Sequence, residues 1–325
     1  MNFKKPFLAS VAAVSAMLLL VGCGSEKTAT KADEQGQEVA ASAAEKSSKY
    51  PEITKGPGPA IWRTGDDDTT IYLFGTVHVL PPELEWRNDV FNSIFKQADT
   101  VYFEADVDEL DPQLGVIVAK LGFMPTGETL FDLLDEQQSK DLREALVQLN
   151  IAEAAVAKLR PWFASVMISN QFIVSSGQDP ESGVEKRLIP EAKLNGKFLR
   201  YFETAEEQLG FLAGLDDQVQ IDMLIEGVRQ IEEMPDLLKL MDEAWVNGDV
   251  DTLAEIIGSD QSLASEIVQE AILISRNRNW ADELAVLTEE EEGVFFVAVG
   301  AAHLAGDASV VDLMRGKGYT AVRIQ

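Results

Sequence analysis

Apolar residues along the chain occur in runs of two kinds, and these runs predict an alternation of strands and helices. Residues 69–75 and 293–299 are apolar at both odd and even positions, which favours strands covered on both faces, as in a parallel sheet. Residues 86–98 instead carry apolar side chains at helical spacing, and a further apolar run follows at 100–105. Strand, helix and strand of these lengths predict a parallel βαβ unit with a right-handed crossover.

A second unit of the same kind is predicted at the end of the chain. The last apolar run is followed by a helix at 307–315, which Asp307 would cap, and by a final strand at 318–324. The segment between the two units, about residues 107–290, is mostly helical by pattern, with one strand at 197–202. We therefore predict an α/β fold (α+β in some schemes), in which helices flank a central mixed, largely parallel sheet and a large helical insertion separates the two units.

The N-terminal part of the chain predicts export rather than fold. Residues 1–22 have a lysine-containing start and a short apolar run, and they end in a Leu-Val-Gly-Cys tetrad at Cys23 that resembles a bacterial lipobox. The alternative is an ordinary signal peptide followed by an incidental cysteine. Residues 23–55 are small and polar, which predicts a flexible tether, and residues 56–325 are long enough for a single large domain.

Lipid on Cys23 would anchor the domain to the cell envelope, facing the periplasm or the exterior. Gly24 follows Cys23, and this favours the outer membrane if the cell has two. Cys23 is the only cysteine, so no disulfide is available and the core must hold the domain together. The net charge of −28 repels phosphate backbones, which argues against nucleic acid as a partner.

The two histidines of the chain stand in matched positions. His78 and His303 each follow a strand-like run, and each lies three residues after a glycine, Gly75 or Gly300. Glycine lets the backbone turn sharply at a strand end and lets a ligand approach closely. The alternative for each imidazole is a satisfied polar residue without chemistry, but the matched contexts of both favour function.

Two glutamates stand at the ends of the remaining predicted strands. Glu104 ends the second strand and Glu203 the third, so the carboxylates and imidazoles are predicted to share one sheet edge. Such a set suits either a divalent metal ion or a metal-free general base oriented by an acid. The alternative is an edge-exposed acid for Glu104, and a helix-capping acid for Glu203.

Three further polar residues have both a functional and an ordinary interpretation. Arg276, which precedes Asn277, is a candidate partner for Glu104 or for a substrate carboxylate, although the sequence alone favours a surface ion pair. Asp179 is interpreted either as a residue that supports the site or as part of a turn. The sequence has no Gly-x-Ser-x-Gly elbow, P-loop or His-Glu-x-x-His segment, which disfavours serine hydrolases, NTPases and zincins.

These segments, taken in order, resemble the TraB/GumN family, which includes the TIKI metalloproteases and the pheromone-shutdown proteins. The resemblance covers about residues 61–325 and is carried by the Gly-x-x-His segments 75–78 and 300–303. Around them stand Tyr102-Phe-Glu104, Gly177-Gln-Asp179, Glu203-Thr, Glu207-Gln208 and Arg276-Asn277. The family is similar in fold to the erythromycin-esterase and ChaN group, a mixed sheet with helices around it.

The resemblance implies a hydrolase-like site. Its implied catalytic residues are His78, Glu104, His303, Arg276 and Asn277, with Gly75, Gly300, Asp179 and Glu203 as structural or substrate support. TIKI proteins cleave peptides with a metal, so the implied ligands of a divalent ion (Mn, Co or Zn) are His78, Glu104 and His303. Esterase relatives use a histidine without metal, and ChaN-like relatives bind haem.

The sequence thus leads to two hypotheses. The first is a lipid-anchored, extracytoplasmic, metal-dependent hydrolase that cleaves a peptide or amide bond of a peptide or small-molecule substrate. The second is a ligand- or partner-binding lipoprotein, haem-binding-like or acting in assembly, that uses the helical insertion and has a vestigial active site.

Overall fold

The computed structural model describes residues 58–106, 112–258 and 263–325. The predicted signal segment, the predicted tether and Cys23 lie outside the described residues. Within the described part, no helix is both long enough and apolar enough to span a bilayer.

One six-stranded sheet organises the described part of the chain, and this confirms the predicted fold class. Its order is β4-β3-β5-β2-β1-β6. The strands are β1 (Ile61–Gly65), β2 (Thr69–Thr76), β3 (Thr100–Asp106), β4 (Phe198–Thr204), β5 (Gly293–Gly300) and β6 (Val322–Arg323). Strands β4, β3, β5 and β2 are parallel, whereas β1 is antiparallel to both β2 and β6.

The strand order differs from the sequence prediction in two respects. First, β2 and β3 are not neighbours, because β5 lies between them and pairs with both. A strand that is apolar on both faces is most stable at the centre of a sheet, and β5 takes that place. Second, β1 was not predicted; it forms a hairpin with β2, closed by Asp66, whose carboxylate accepts from the Thr69 amide.

The last strand is also shorter than predicted and pairs elsewhere. Strand β6 contains two residues, and it pairs with β1 rather than with β5. The second predicted βαβ unit is therefore spread across the sheet, with β2 and β1 between its two strands. All four parallel strands nonetheless end at one edge, which is the condition that the predicted site requires.

Helices cover both faces and form the insertion between β3 and β5. They are α1 (Asp89–Gln97), α2 (Pro112–Gly122), α3 (Glu136–Gln148), α4 (Glu153–Val156), α5 (Pro161–Ser175), α6 (Val184–Leu194), α7 (Ala205–Ala213), α8 (Asp217–Arg229), α9 (Met234–Val246), α10 (Val250–Ile257), α11 (Leu263–Gln269), α12 (Ser275–Glu290) and α13 (Val310–Gly316). A π-helical turn, Glu270–Ile274, joins α11 to α12.

The cap predicted at Asp307 is wrong. Helix α13 begins at Val310, and Ser309 caps it by accepting a hydrogen bond from the Asp312 amide. Ala308 has a φ of 59°, a left-handed conformation that a right-handed helix does not contain, so the helix starts after it.

The core divides into the two faces of the sheet and the interior of the insertion. Consecutive residues of β2 point to opposite faces: Tyr72 and Phe74 pack on one side, and Ile71 and Leu73 on the other. A third apolar cluster holds the insertion helices together. This two-sided burial explains why the strand sequences are apolar at every position.

Candidate active site

The two histidines meet at the carboxyl edge of the sheet. Strands β2 and β5 are in parallel register up to the pair Thr76 and Gly300, so the segments that follow leave the sheet side by side. His78 follows β2, and His303 lies in the short 3₁₀ turn after β5. Both line one cavity, together with Glu104 of β3. The structure therefore brings the three predicted residues together.

The two glycines allow a close approach of the segments. A Cβ atom at Gly75 would lie 2.9 Å from the Ala301 Cα, and one at Gly300 would lie 3.1 Å from Oε1 of Glu104. The Gly300 amide also donates to that oxygen, at 2.7 Å. Glycine is needed here for space, since neither residue has a positive φ.

Arg276 forms the centre of the polar network and is fully buried. Its Nε and Nη2 atoms bind Glu203 at 2.7 and 2.8 Å, and Nη2 also donates to Glu104 at 2.8 Å. Nη1 donates to the carbonyl of Ile272, in the π-helical turn, at 2.8 Å. Burial lowers the pKa of Arg276, but the two carboxylates outweigh it and the pKa is raised. The interpretation of Arg276 as half of a surface ion pair is therefore wrong.

Glu104 is held ionised by its surroundings. Besides Arg276 and the Gly300 amide, it accepts a hydrogen bond from Gln208 at 3.1 Å. Burial raises the pKa of Glu104, but the charge of Arg276 above all, with smaller contributions from the two imidazoles when they are protonated, outweighs it and lowers the pKa to about 2. The alternative of an edge-exposed acid is wrong, because Glu104 is 6% exposed.

Glu203 belongs to the same network but does not line the cavity. Its Oε1 accepts from the Trp280 indole at 3.0 Å as well as from Arg276. Burial raises the pKa of Glu203 despite the guanidinium. Glu203 is not a helix cap, since Thr204 caps α7.

His303 is fixed as a neutral imidazole. Nδ1 lies 2.5 Å from Oδ1 of Asn277, whose amide nitrogen donates to the Ala308 carbonyl at 3.0 Å. This second bond orients the Asn277 amide, so the hydrogen-bond network assigns the His303 proton to Nδ1 and leaves a lone pair on Nε2. Nε2 faces Nη1 of Arg276 at 3.2 Å. Burial lowers the pKa of His303 to about 3, with Arg276 assisting and Glu104 opposing.

His78 has a different partner. Its Nδ1 lies 3.1 Å from Oε2 of Glu185, in the first turn of α6. Burial lowers the pKa of His78, but the negative charge of Glu185 outweighs it and raises the pKa. Nε2 makes no hydrogen bond to the described part of the chain, so it is the nitrogen that serves the cavity.

Gly183 makes the contact between His78 and Glu185 possible. A Cβ atom at Gly183 would lie 2.1 Å from the His78 carbonyl oxygen, and the amide of Val184 donates to the Val77 carbonyl at 3.0 Å. The start of α6 is thus pressed against the segment after β2. The sequence analysis missed Glu185, because an acid in the first turn of an amphipathic helix is ordinarily a solvated one.

Asp179 stands outside the cavity lining. Its carboxylate accepts from the Glu181 amide and from the Ser182 hydroxyl at 3.0 Å each, and its backbone bridges to Leu80. It therefore shapes the turn before α6. None of its hydrogen bonds to the described residues goes to a histidine.

The cavity itself is small and mostly apolar, with a volume of about 80 Å³. Helices of the insertion supply its wall, including Leu238, Met241, Trp245, Ile256 and Ile272. Besides the predicted residues, Gln178 and Asp242 contribute polar groups that the sequence analysis did not identify. The site suits an uncharged group with an apolar substituent.

The described residues do not fit a resident metal ion in their present arrangement. Nowhere in the described ranges do three His, Cys, Asp or Glu side chains converge closely enough to hold one. Among the three predicted ligands, Nε2 of His303 and Oε1 of Glu104 approach to 3.6 Å, whereas His78 pairs with Glu185 instead. The Arg276 guanidinium already binds His303 and Glu104 and supplies the positive charge that a cation would bring.

Comparison with known proteins gives relatives of two kinds. The chain is 24% identical over 260 residues to YbaP of Escherichia coli, a match that covers 79% of this chain and 92% of YbaP. It is 24% identical to the metalloprotease TIKI1 of Danio rerio and 25% identical to human TIKI1, over 78% of this chain in each case. The chain spans only 60% and 59% of those two TIKI proteins. No solved structure matches the chain.

A family model provides the assignment. The model of the TraB/PrgY/gumN family matches residues 60–323, which include the whole described sheet and both Gly-x-x-His segments. The resemblance inferred from the sequence is thereby confirmed, and the chain belongs to the TraB/PrgY/gumN family.

Proposed function

We propose that this protein is a hydrolase that cleaves a peptide or amide bond, with His78 as the general base. The observation that carries the proposal is the position of His78: a buried carboxylate, Glu185, lies against Nδ1, and Nε2 is left for an apolar cavity. The metalloprotease names of the TIKI relatives support hydrolysis as the reaction class.

The arrangement assigns different tasks to the two imidazoles. His78 takes a proton from a water molecule as the water oxygen attacks the substrate carbonyl, and Glu185 stabilises the imidazolium that forms. His303 carries its proton on Nδ1 and keeps its Nε2 lone pair toward Arg276, so it forms a fixed wall of the site. Arg276 and Glu104 hold the His303 imidazole in place from two sides.

The metal in the sequence-based hypothesis stays a prediction that rests on the relatives. His78, Glu104 and His303 would have to converge on one ion of Mn, Co or Zn, and Arg276 would have to move from Glu104. Elemental analysis of the purified chain and of His303→Gln tests this separately from activity. Stoichiometric metal in the wild-type chain, together with loss of that metal in His303→Gln, would support the metal site.

The experiment on His78 uses chemical rescue. The mature chain is incubated with a mixture of peptides and with the p-nitrophenyl ester of N-acetyl-leucine, and products are followed by mass spectrometry and absorbance. His78→Ala should lose about 10²–10⁴-fold in rate, and added imidazole should restore part of it. Asp236→Asn, an exposed change on α9, is the control and should retain the wild-type rate.

The results separate the two hypotheses from the sequence. An unaffected rate in His78→Ala would refute the assignment of the base. If wild type binds the peptide or ester but leaves it intact, the ligand-binding alternative, haem-binding-like or otherwise, is favoured instead.

The location is a separate part of the proposal. We infer attachment to the cell envelope by palmitate-type acylation of Cys23, with the domain facing the periplasm or the exterior. Metabolic labelling with a palmitate analogue should mark the wild-type chain, and Cys23→Ala should leave the protein unlabelled and released from membranes.

A further inference from the structure

A second acid lines the cavity, and it belongs to a helix of the insertion rather than to the sheet. Asp242, on α9, lines the same cavity as His78 and His303. Its helix is fixed to the sheet edge, because the indole of Trp245 donates to the Gly75 carbonyl at 2.8 Å. Asp242 and Trp245 are three residues apart and therefore share a helix face.

Gln178 holds this carboxyl group on one side only. Its amide nitrogen donates to Oδ2 of Asp242 at 2.6 Å. Asp242 is partly exposed, and Oδ1 is not among the buried polar atoms of the described residues that lack a partner. The amide oxygen of Gln178, which is 8% exposed, is also buried without a partner in the described part of the chain. An orphaned buried acceptor, beside a carboxyl group with one oxygen left toward the cavity, indicates a ligand that donates a hydrogen bond to Gln178 and meets the carboxyl group of Asp242.

We propose that Asp242 is the general acid that protonates the leaving group of the bond cleaved at this site, and that Gln178 accepts a hydrogen bond from the substrate amide. This inference rests on the proposed hydrolase function. It adds a catalytic residue from the helical insertion to the sheet-edge residues. The apolar wall around the acid favours an acyl group with an aliphatic side chain, such as leucine.

The proton balance of the reaction is closed. Water attacks the carbonyl carbon and gives one proton to His78; the bond to the leaving oxygen or nitrogen then breaks, and its electron pair stays with the leaving atom. Asp242 gives that atom a proton and becomes a carboxylate. His78 then releases its extra proton to solvent, and Asp242 takes one proton back from solvent. The net reaction therefore adds one water molecule across the bond.

The environment of Asp242 suits an acid. Burial raises its pKa to about 6, with the hydrogen bond from Gln178 opposing and the charge of Glu243 assisting. The other titratable groups of the cavity are His78, Glu104 and His303. A raised pKa keeps more of this carboxyl group protonated near neutral pH, and a general acid must be protonated to act.

The test varies the leaving group at a constant acyl group. The full mature chain, Asp242→Asn and the control Asp236→Asn are compared on the ethyl and the p-nitrophenyl ester of N-acetyl-leucine. Ethoxide needs a proton to leave, whereas nitrophenolate does not. Asp242→Asn should lose on the order of 10²-fold on the ethyl ester and less than about threefold on the nitrophenyl ester. The wild-type decline of ethyl ester hydrolysis at high pH should disappear in Asp242→Asn.

Each other outcome overturns the inference. Equal losses on both esters would make Asp242 a structural or binding residue, and no loss on either would remove it from the reaction. If wild type hydrolyses neither ester nor any peptide, the proposed function itself fails, a result distinct from the other two.

Discussion

The buried guanidinium of Arg276 gives the most sensitive test of the described network. In Arg276→Met the apolar stem keeps a similar length, but Glu104 and Glu203 lose their shared cation. Both carboxylates are buried, with side chains 7% and 8% exposed, so solvent does not replace the lost charge. Removal of one partner from a buried ionic network costs about 3–5 kcal/mol of the free energy of unfolding. At about 2–4 °C per kcal/mol, the melting temperature should fall by roughly 6–20 °C.

Arg278→Met is a matched control in the same helix. Arg278 pairs with Glu270, but both side chains are about half exposed, so the loss should be about 0–1 kcal/mol. The assay is urea unfolding at pH 7 for both variants. The loss in Arg276→Met should shrink as the pH is lowered toward about 5, because the unpaired carboxylates are then protonated, and Glu203→Gln in the same chain should recover part of it. Equal stability of the two variants at pH 7 would refute the buried network.

Three further predictions follow from the site. The free energy of unfolding should fall as pH drops from 6.5 toward 2 in urea titrations, because the folded-state pKa values of His303 and Glu104 both lie below their ordinary values, about 3 and about 2; constant stability over this range would contradict that. Gly183→Ala should lower both the stability and the rate of nitrophenyl ester hydrolysis, because the added Cβ atom would collide with the His78 carbonyl oxygen. Gly210→Ala is the control: a Cβ atom there would have no neighbour within 4 Å, so the change should be neutral or stabilising. Hydrolysis of the nitrophenyl ester should rise with pH through the raised pKa of His78, and in Glu185→Gln this rise should move to lower pH. An unchanged pH profile would show that Glu185 does not set the pKa of His78.

Local sequence was sufficient to place the residues at the strand ends. Apolar runs marked β2, β3 and β5, and because parallel strands end at one edge, His78, Glu104 and His303 were predicted to share that edge. That is why the placement held although β5 lies between β2 and β3. The roles assigned to these residues remain predictions.

Residues brought in by the helices could not be predicted in the same way. Glu185 and Asp242 lie on amphipathic helices, where an acid is ordinarily solvated, and only tertiary packing turns them toward the cavity. Arg276 looked like a surface residue because its neighbours along the chain are polar. Its burial depends on the π-helical turn before α12 and on carboxylates from two distant strands.

The central claim is that the two histidines differ: His78 is a base that serves the cavity, and His303 is a neutral, fixed partner of Arg276. Because the chain has only these two histidines, ¹⁵N NMR of the imidazoles resolves both, and His78→Gln assigns them. We expect the His78 signal to titrate above its ordinary pKa and the His303 signal to stay neutral until about pH 3, with its proton on Nδ1. Two imidazoles that titrate together near the ordinary histidine value, or a His78 that stays neutral while His303 titrates, would contradict the account.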